Sequence, residues 1–130
     1  MSIDSPRHHF SDRLFASDAP FSHARRAGDL WFISGLIGQD PETGAVVSDD
    51  PAEQLVRLFA NLRLLLEDLG VGPAALVKVT VCLVDYADFG VLNRVYAEAL
   101  PAPFPARVTL QVPGLPLGAR FQIDAVAEAA

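Results

Sequence analysis

Arg107 is the side chain of this chain best suited by type and setting to do chemistry. It opens the apolar run Ala106-Arg107-Val108-Thr109-Leu110-Gln111-Val112, directly after the turn Pro103-Phe104-Pro105. A guanidinium stays charged at physiological pH and presents paired, planar donors that match a carboxylate. At the rim of a sheet it would act as a carboxylate clamp; an arginine snorkelling to solvent from a strand end is the plain alternative. Thr109, two residues on, points to the same side of the strand. Ser34-Gly35, at the end of another apolar run, offers a glycine where a ligand or a neighbour can come close to the backbone. The other reactive types carry less. Cys82, the single cysteine, lies in an apolar strand pattern and reads as an inert buried thiol. His8 and His9 would point to opposite faces of a strand, and no zinc-ligand spacing occurs.

Composition sets the frame for these residues. With 130 residues, 51% of them hydrophobic and 20% charged, the chain is long enough to bury one sizeable core and is expected to form one domain spanning 1–130, with 1–9 loosely held. Its 10 Lys+Arg against 16 Asp+Glu give a net charge of −6, which disfavours a nucleic-acid partner, and no basic cluster with interleaved aromatics offsets it. One cysteine rules out an intrachain disulfide scaffold. The start MSIDSPRHHF lacks the pattern of a signal peptide, and no uncharged apolar run approaches the roughly 20 residues that span a bilayer. A cytoplasmic protein without a membrane partner is the expectation.

The elements that must hold Arg107 follow from periodicity and punctuation. His23 to Ser34 reads as a hairpin turning at Gly28-Asp29, with Leu30-Trp31-Phe32-Ile33 as its second arm and Ser34-Gly35 as its end. Asp50 can cap a helix that starts at Pro51. Leu55, Val56, Leu58, Phe59, Leu62, Leu65, Leu66 and Leu69 then recur at three-and-four spacing, and Gly70 stops the helix. Val77 to Asp85 reads as an interior strand. Tyr86 to Leu100 reads as a second helix, with Phe89, Leu92, Tyr96 and Ala99 on one face. The proline-rich segment 101–105 is an extended linker. Strands over Ala106–Val112 and Arg120–Ala127 complete the chain. Two helices cannot cover both faces of such a sheet, so a two-layer α+β sandwich with both helices on one face is predicted. The other face, with Val108, Leu110, Gln122 and Asp124, is left open, which implies association into a closed oligomer with pockets at the subunit junctions.

The whole series resembles the RidA/YjgF family of reactive-intermediate (imine) deaminases, from about Ala19 to Ala127. The matching pieces are Ala19-Pro20-Phe21-Ser22-His23-Ala24, Ile33-Ser34-Gly35, Asp40-Pro41-Glu42-Thr43-Gly44, Asn61-Leu62 and Val77-Lys78-Val79-Thr80-Val81. They continue through Asp88-Phe89 with Asn93 and Tyr96, Pro105-Ala106-Arg107, Leu115-Pro116 with Gly118, and Gln122-Ile123-Asp124-Ala125-Val126-Ala127.

The resemblance implies a chorismate-mutase-like fold with a mixed sheet, assembled as a homotrimer whose sheets form a central barrel with clefts between subunits. It implies hydrolytic deamination of enamines and imines (2-iminoacids, 2-aminoacrylate-like species) to 2-oxoacids and ammonia, with no metal or organic cofactor. Carried over by position, Arg107 grips the substrate carboxylate, and Phe21, Ser34, Gly35, Asn93 and Thr109 line the cleft. Two positions depart from the family pattern. Gln122 stands where a glutamate positions or activates water, and a carboxamide can hold water but cannot take its proton; Asp124, on the same side, is the acid that could substitute. Phe21 stands where the family usually has tyrosine. The loop before Pro105 is also shorter than in several relatives. These departures keep two alternatives open: a specialised enzyme of the same type acting on an aminomuconate-like or biosynthetic intermediate, and a noncatalytic trimer that binds a carboxylate metabolite or a partner protein. A nuclease role finds no support in a −6 chain without a basic groove.

Overall fold

The computed structural model describes residues 6–130. Six strands form one mixed sheet: β1 (His8–His9), β2 (Ala24–Ala27), β3 (Leu30–Leu36), β4 (Leu76–Leu83), β5 (Ala106–Gln111) and β6 (Phe121–Glu128), in the order β1-β2-β3-β6-β4-β5. All neighbours are antiparallel except β4 and β5, which are parallel and joined through a helix. Two helices, α1 (Pro51–Asp68) and α2 (Phe89–Ala99), pack against each other on one face, as the two-layer reading predicts. No helix among the described residues is long and apolar enough to cross a membrane.

Helix α1 forms where its punctuation places it. The Asp50 carboxylate accepts the Glu53 N–H at 2.9 Å, and Pro51 occupies the first turn. At the other end Gly70 adopts φ +77°, and the Val71 and Gly70 amides close on the carbonyls of Leu66 and Glu67. That pair of bonds satisfies carbonyls the helix leaves open, and a left-handed residue there favours glycine. Leu55, Leu58, Leu62, Leu65 and Leu66 are buried to 1% exposure or less, each contributing on the order of 1.5–3 kcal/mol. They meet the alternate residues Val79, Val81, Leu83, Phe121, Ile123 and Ala125 of the sheet's helix-side face.

Four sequence expectations are corrected. Residues 1–5 of the loosely held segment lie outside the described residues, but His8 and His9 form β1, in register with Arg25 and Ala24, and His9 Nε2 lies 3.0 Å from the Asp68 carboxylate. Val56 is exposed on the outer side of α1 rather than in its apolar stripe, because 100° per residue carries it past the edge of the face that Leu55 centres. The second helix begins as a 3-10 turn over Tyr86–Asp88 before α2; the Asp85 carboxylate accepts the Ala87 N–H and tightens that turn. Strand β3 does not end at Ser34-Gly35. Ile33 pairs with Ala125 and Leu36 with Ile123, so two residues of β3 oppose the single Asp124 of β6. That is a bulge, which bends a strand and re-aims side chains without ending it.

Candidate functional site

Arg107 stands on the edge strand β5, opposite Val79 of β4. Val79 faces the helices, so Arg107 and Thr109 do as well. The guanidinium is fixed from several directions. Its Nε donates to Thr109 Oγ1 at 2.8 Å, and one terminal nitrogen donates to Asn93 Oδ1 of α2 at 2.8 Å. Its centre lies 4.8 Å from the ring centroid of Tyr96 and 5.7 Å from that of Phe89, within reach of cation–π attraction. Two of five donors are engaged, and the other three have no protein partner among the described residues. The half-buried side chain thus presents a held, charged, partly unused fork. Phe89, Asn93 and Tyr96 form the supporting surface at i, i+4 and i+7 of one helical face. Asn93 was singled out from the sequence as a cleft residue, whereas Phe89 and Tyr96 were read there as one helical face and as matching positions, without a role in the site. Tyr96 is buried and its hydroxyl has no hydrogen-bond partner among the described residues. Burial pushes that phenol up, against an opposing pull from Arg107, so it stays protonated.

A second group of expected residues gathers elsewhere. Phe21, Ser34, Gly35 and Gln122 line a cavity of about 900 Å³ on the open face of the sheet, together with His23 and Asp124. The Ser34 hydroxyl donates to the Ser22 carbonyl at 2.6 Å and ties the segment that carries Phe21 to β3. A Cβ built on Gly35 would stand 2.8 Å from Cδ and 2.9 Å from Nε2 of Gln122. The close neighbour that glycine admits is therefore this chain's own carboxamide. Gln122 makes no side-chain hydrogen bond to a described residue and is free to hold water or a ligand. Cys82, directly across from Gln122, is half-buried on this open face rather than fully buried. Burial first, and Asp124 second, push its thiol up, which keeps it protonated.

His23 is the cavity residue that sequence reasoning passed over as a possible actor. It is buried, its Nδ1 accepts the Ser11 N–H at 2.8 Å, and its ring meets Phe21 edge-on at 6.2 Å. Burial lowers its pKa, with His9 adding to the effect, so the ring is neutral and braces the 11–21 segment over the cavity. Among the described residues no cluster of three His, Cys, Asp or Glu side chains suits a metal ion.

One chain therefore holds two half-sites. The Arg107, Thr109 and Asn93 group faces the helix side of β5, and the Phe21, Ser34, Gly35 and Gln122 group faces the open side of β3 and β6. Strands β3 and β5 are separated by β6 and β4, about 14 Å at ordinary strand spacing. None of the Arg107 group lines the cavity.

Comparison with known proteins decides the family. The sequence profile described as Endoribonuclease L-PSP matches residues 11–129. The chain belongs to the RidA/YjgF family. Reactive Intermediate Deaminase A of Arabidopsis thaliana, a chloroplastic protein, is 41% identical over 117 residues, covering 90% of this chain, which spans 63% of that relative's length. The human 2-iminobutanoate/2-iminopropanoate deaminase is 39% identical over 108 residues, covering 83% of this chain and 79% of its own. The crystal structure of RidA from an Antarctic Psychrobacter superposes with a TM-score of 0.88 at 32% identity, covering 95% of this chain and 99% of that one. The α+β fold with six strands and two helices is that of these RidA structures.

Proposed function

We propose that this chain hydrolyses the C=N bond of 2-imino acids and their enamine tautomers, releasing 2-oxoacids and ammonia, in clefts between the subunits of a homotrimer. The observation that carries the reading is the Arg107 fork, held by Thr109, Asn93, Tyr96 and Phe89 with donors to spare. Two relatives named as deaminases support the reaction class. The division of the half-sites supports the assembly, because a fork on an edge strand meets a cavity on the opposite face only when a second copy supplies one of them. Val108 and Leu110, exposed on the open face of β5, are the apolar surface such a copy would cover.

The chemistry asks little of the protein. Arg107 binds the carboxylate and fixes the imine carbon. Gln122 holds water by hydrogen bonds, and the water oxygen bonds to that carbon while the imine nitrogen takes one of its protons. The second proton passes to nitrogen as the C–N bond breaks, and ammonia leaves the 2-oxoacid. Gln122 orients without accepting a proton, so the nitrogen itself is the base.

The test generates 2-imino acids in situ with an amino-acid oxidase and follows their hydrolysis. Arg107→Ala is expected to lower kcat/KM by about 10²-fold or more through loss of charge-assisted bonds, and Gln122→Glu to retain or raise it. Equal rates for wild type and Arg107→Ala would overturn the assignment. The absence of an acid at 122 favours one second reading, a trimer that binds a carboxylate metabolite without turnover. Saturable binding of a 2-oxoacid with no hydrolysis in wild type is the result that would select it.

A further inference from the structure

Tyr86 opens the 3-10 turn that leads into α2 and is bound twice to β5. Its hydroxyl donates to the Thr109 carbonyl at 3.0 Å, and its amide donates to Oε1 of Gln111 at 3.1 Å. Thr109 and Gln111 follow Arg107 at alternate positions, on the same side of the strand. The carbonyl taken by the hydroxyl is one that the sheet leaves over. The Val112 amide donates to the Leu83 carbonyl of β4, so the main-chain groups of Leu110 and Val112 aim at β4 and those of Thr109 aim outward from the edge. Groups along such an edge have no strand to pair with. The phenol takes one of them and joins the strand to the turn immediately behind the Arg107 side chain.

Tyr86 thereby touches two of the four groups that hold the guanidinium, Thr109 and Phe89. Thr109 is β-branched, so its χ1 is restricted and its Oγ1, which accepts from Arg107 Nε, follows the main chain that Tyr86 grips. The Tyr86 ring also lies 5.7 Å from the Phe89 ring, tilted by 46°, and Phe89 in turn covers the guanidinium at 5.7 Å. Asn93 and Tyr96 sit about one and two turns beyond Phe89 on α2, the helix whose start the two Tyr86 bonds tie to β5. A long arginine side chain samples many rotamers, and a fork already held in one orientation binds a carboxylate without the cost of ordering it at that moment.

Resting on the imino-acid reading above for its chemistry, we infer that Tyr86 is a positioning residue: its hydroxyl and ring set the orientation in which Arg107 meets the substrate carboxylate. The experiment compares wild type with Tyr86→Phe, which removes only the hydroxyl, and Tyr86→Leu, which removes the ring as well. Three quantities are read: kcat and KM for the imine of alanine, pyruvate affinity by calorimetry, and the NMR exchange rate of the Arg107 Nε–H proton with water. That proton is identified by its loss in Arg107→Lys. In Tyr86→Phe, KM and the pyruvate Kd are expected to rise about three- to tenfold, the worth of one neutral hydrogen bond, with kcat unchanged. The Nε–H proton should exchange faster by a similar factor. Tyr86→Leu should exceed Tyr86→Phe in each, because the aromatic contact with Phe89 goes too. A hydroxyl that serves only the fold would lower the unfolding temperature and leave KM, pyruvate affinity and the exchange rate as in wild type, and that result would overturn the inference. So would a fall in kcat at constant KM. If wild type hydrolyses no imine, the deaminase reading falls and the exchange rate decides the positioning role by itself: faster exchange in Tyr86→Phe supports it, and an unchanged rate refutes it.

Discussion

Gly35→Ala isolates the position of the Gln122 carboxamide from the presence of the carboxamide. The added methyl would lie 2.8 Å from Cδ and 2.9 Å from Nε2 of Gln122, where ordinary contact begins at 3.4 Å. The amide must therefore withdraw by about half an ångström or more, the tolerance within which a functional group has to be held. The displaced atoms are the end of a flexible side chain, and Gly35 is not among the residues with positive φ. Folding should thus change little: alanine restricts the unfolded chain by about 0.4–1 kcal/mol, and the local adjustment offsets it. Activity should fall about 10- to 100-fold, because misplacement on this scale removes about 1.4–2.7 kcal/mol of transition-state stabilisation. The assay is kcat/KM for imine hydrolysis together with thermal unfolding, run also in a Gln122→Ala background. There the three atoms nearest the methyl, Cδ, Nε2 and Cγ of Gln122, are gone, so Gly35→Ala should add no further loss, a coupling that a double-mutant cycle reads directly. Full activity in Gly35→Ala, or the same loss with and without Gln122, would refute the assigned geometry.

Two further perturbations probe the frame. The folded-state pKa of His23 lies below the ordinary 6.5, so the stability gained from its neutral ring is complete above about pH 6.5 and is lost as pH falls through the folded value; His23→Asn, which keeps an acceptor for Ser11 but does not titrate, should flatten the fall of unfolding temperature below about pH 6.5. Leu110→Asp places a charge on the exposed apolar face of β5 and is expected to shift sedimentation from trimer to monomer and to abolish hydrolysis together with assembly, whereas an unchanged trimer would show that this face lies outside the interface.

How far the sequence could be read follows from the range of the interactions involved. Helix α1 was legible to the residue at its start, because Asp50, Pro51 and Gly70 act through bonds within one turn of their own positions. The bulge at Ser34-Gly35 was not, since a small residue and a glycine after an apolar run look the same whether the strand ends or doubles back into register. Only the pairing of Ile33 with Ala125 and Leu36 with Ile123, some ninety positions away, separates the two cases. Strand β1 is two residues long and carries no periodicity. The candidate residues were legible by chemical type and resemblance, and alternation already put Gln122 and Asp124 on the open face with Val108 and Leu110, whereas the strand order that separates the two groups was not legible. Arg107 and Gln122 fall on opposite faces because Arg107 is in register with Val79 and Gln122 with Cys82, three residues apart on β4, a pairing fixed by long-range contacts.

That division of faces makes a quantitative claim about how the chain works. If each working site takes Arg107 from one subunit and Gln122 from its neighbour, two inactive variants repair each other. In a 1:1 mixture of Arg107→Ala and Gln122→Ala chains, unfolded and reassembled together, a given cleft works only when its fork comes from the second variant and its cavity from the first. Random assortment in a cyclic oligomer makes about a quarter of clefts intact. The mixture should therefore recover about a quarter of wild-type specific activity, although each parent alone has little. Chains carrying both substitutions, mixed with wild type, should dilute activity only in proportion to the wild-type pairs that remain, again about a quarter at 1:1. A site built within one chain behaves differently: the two single variants mixed recover nothing, and wild type mixed with the double variant keeps half. The two arms move in opposite directions under the two architectures, so neither misfolding nor a weak assay can imitate the intersubunit result.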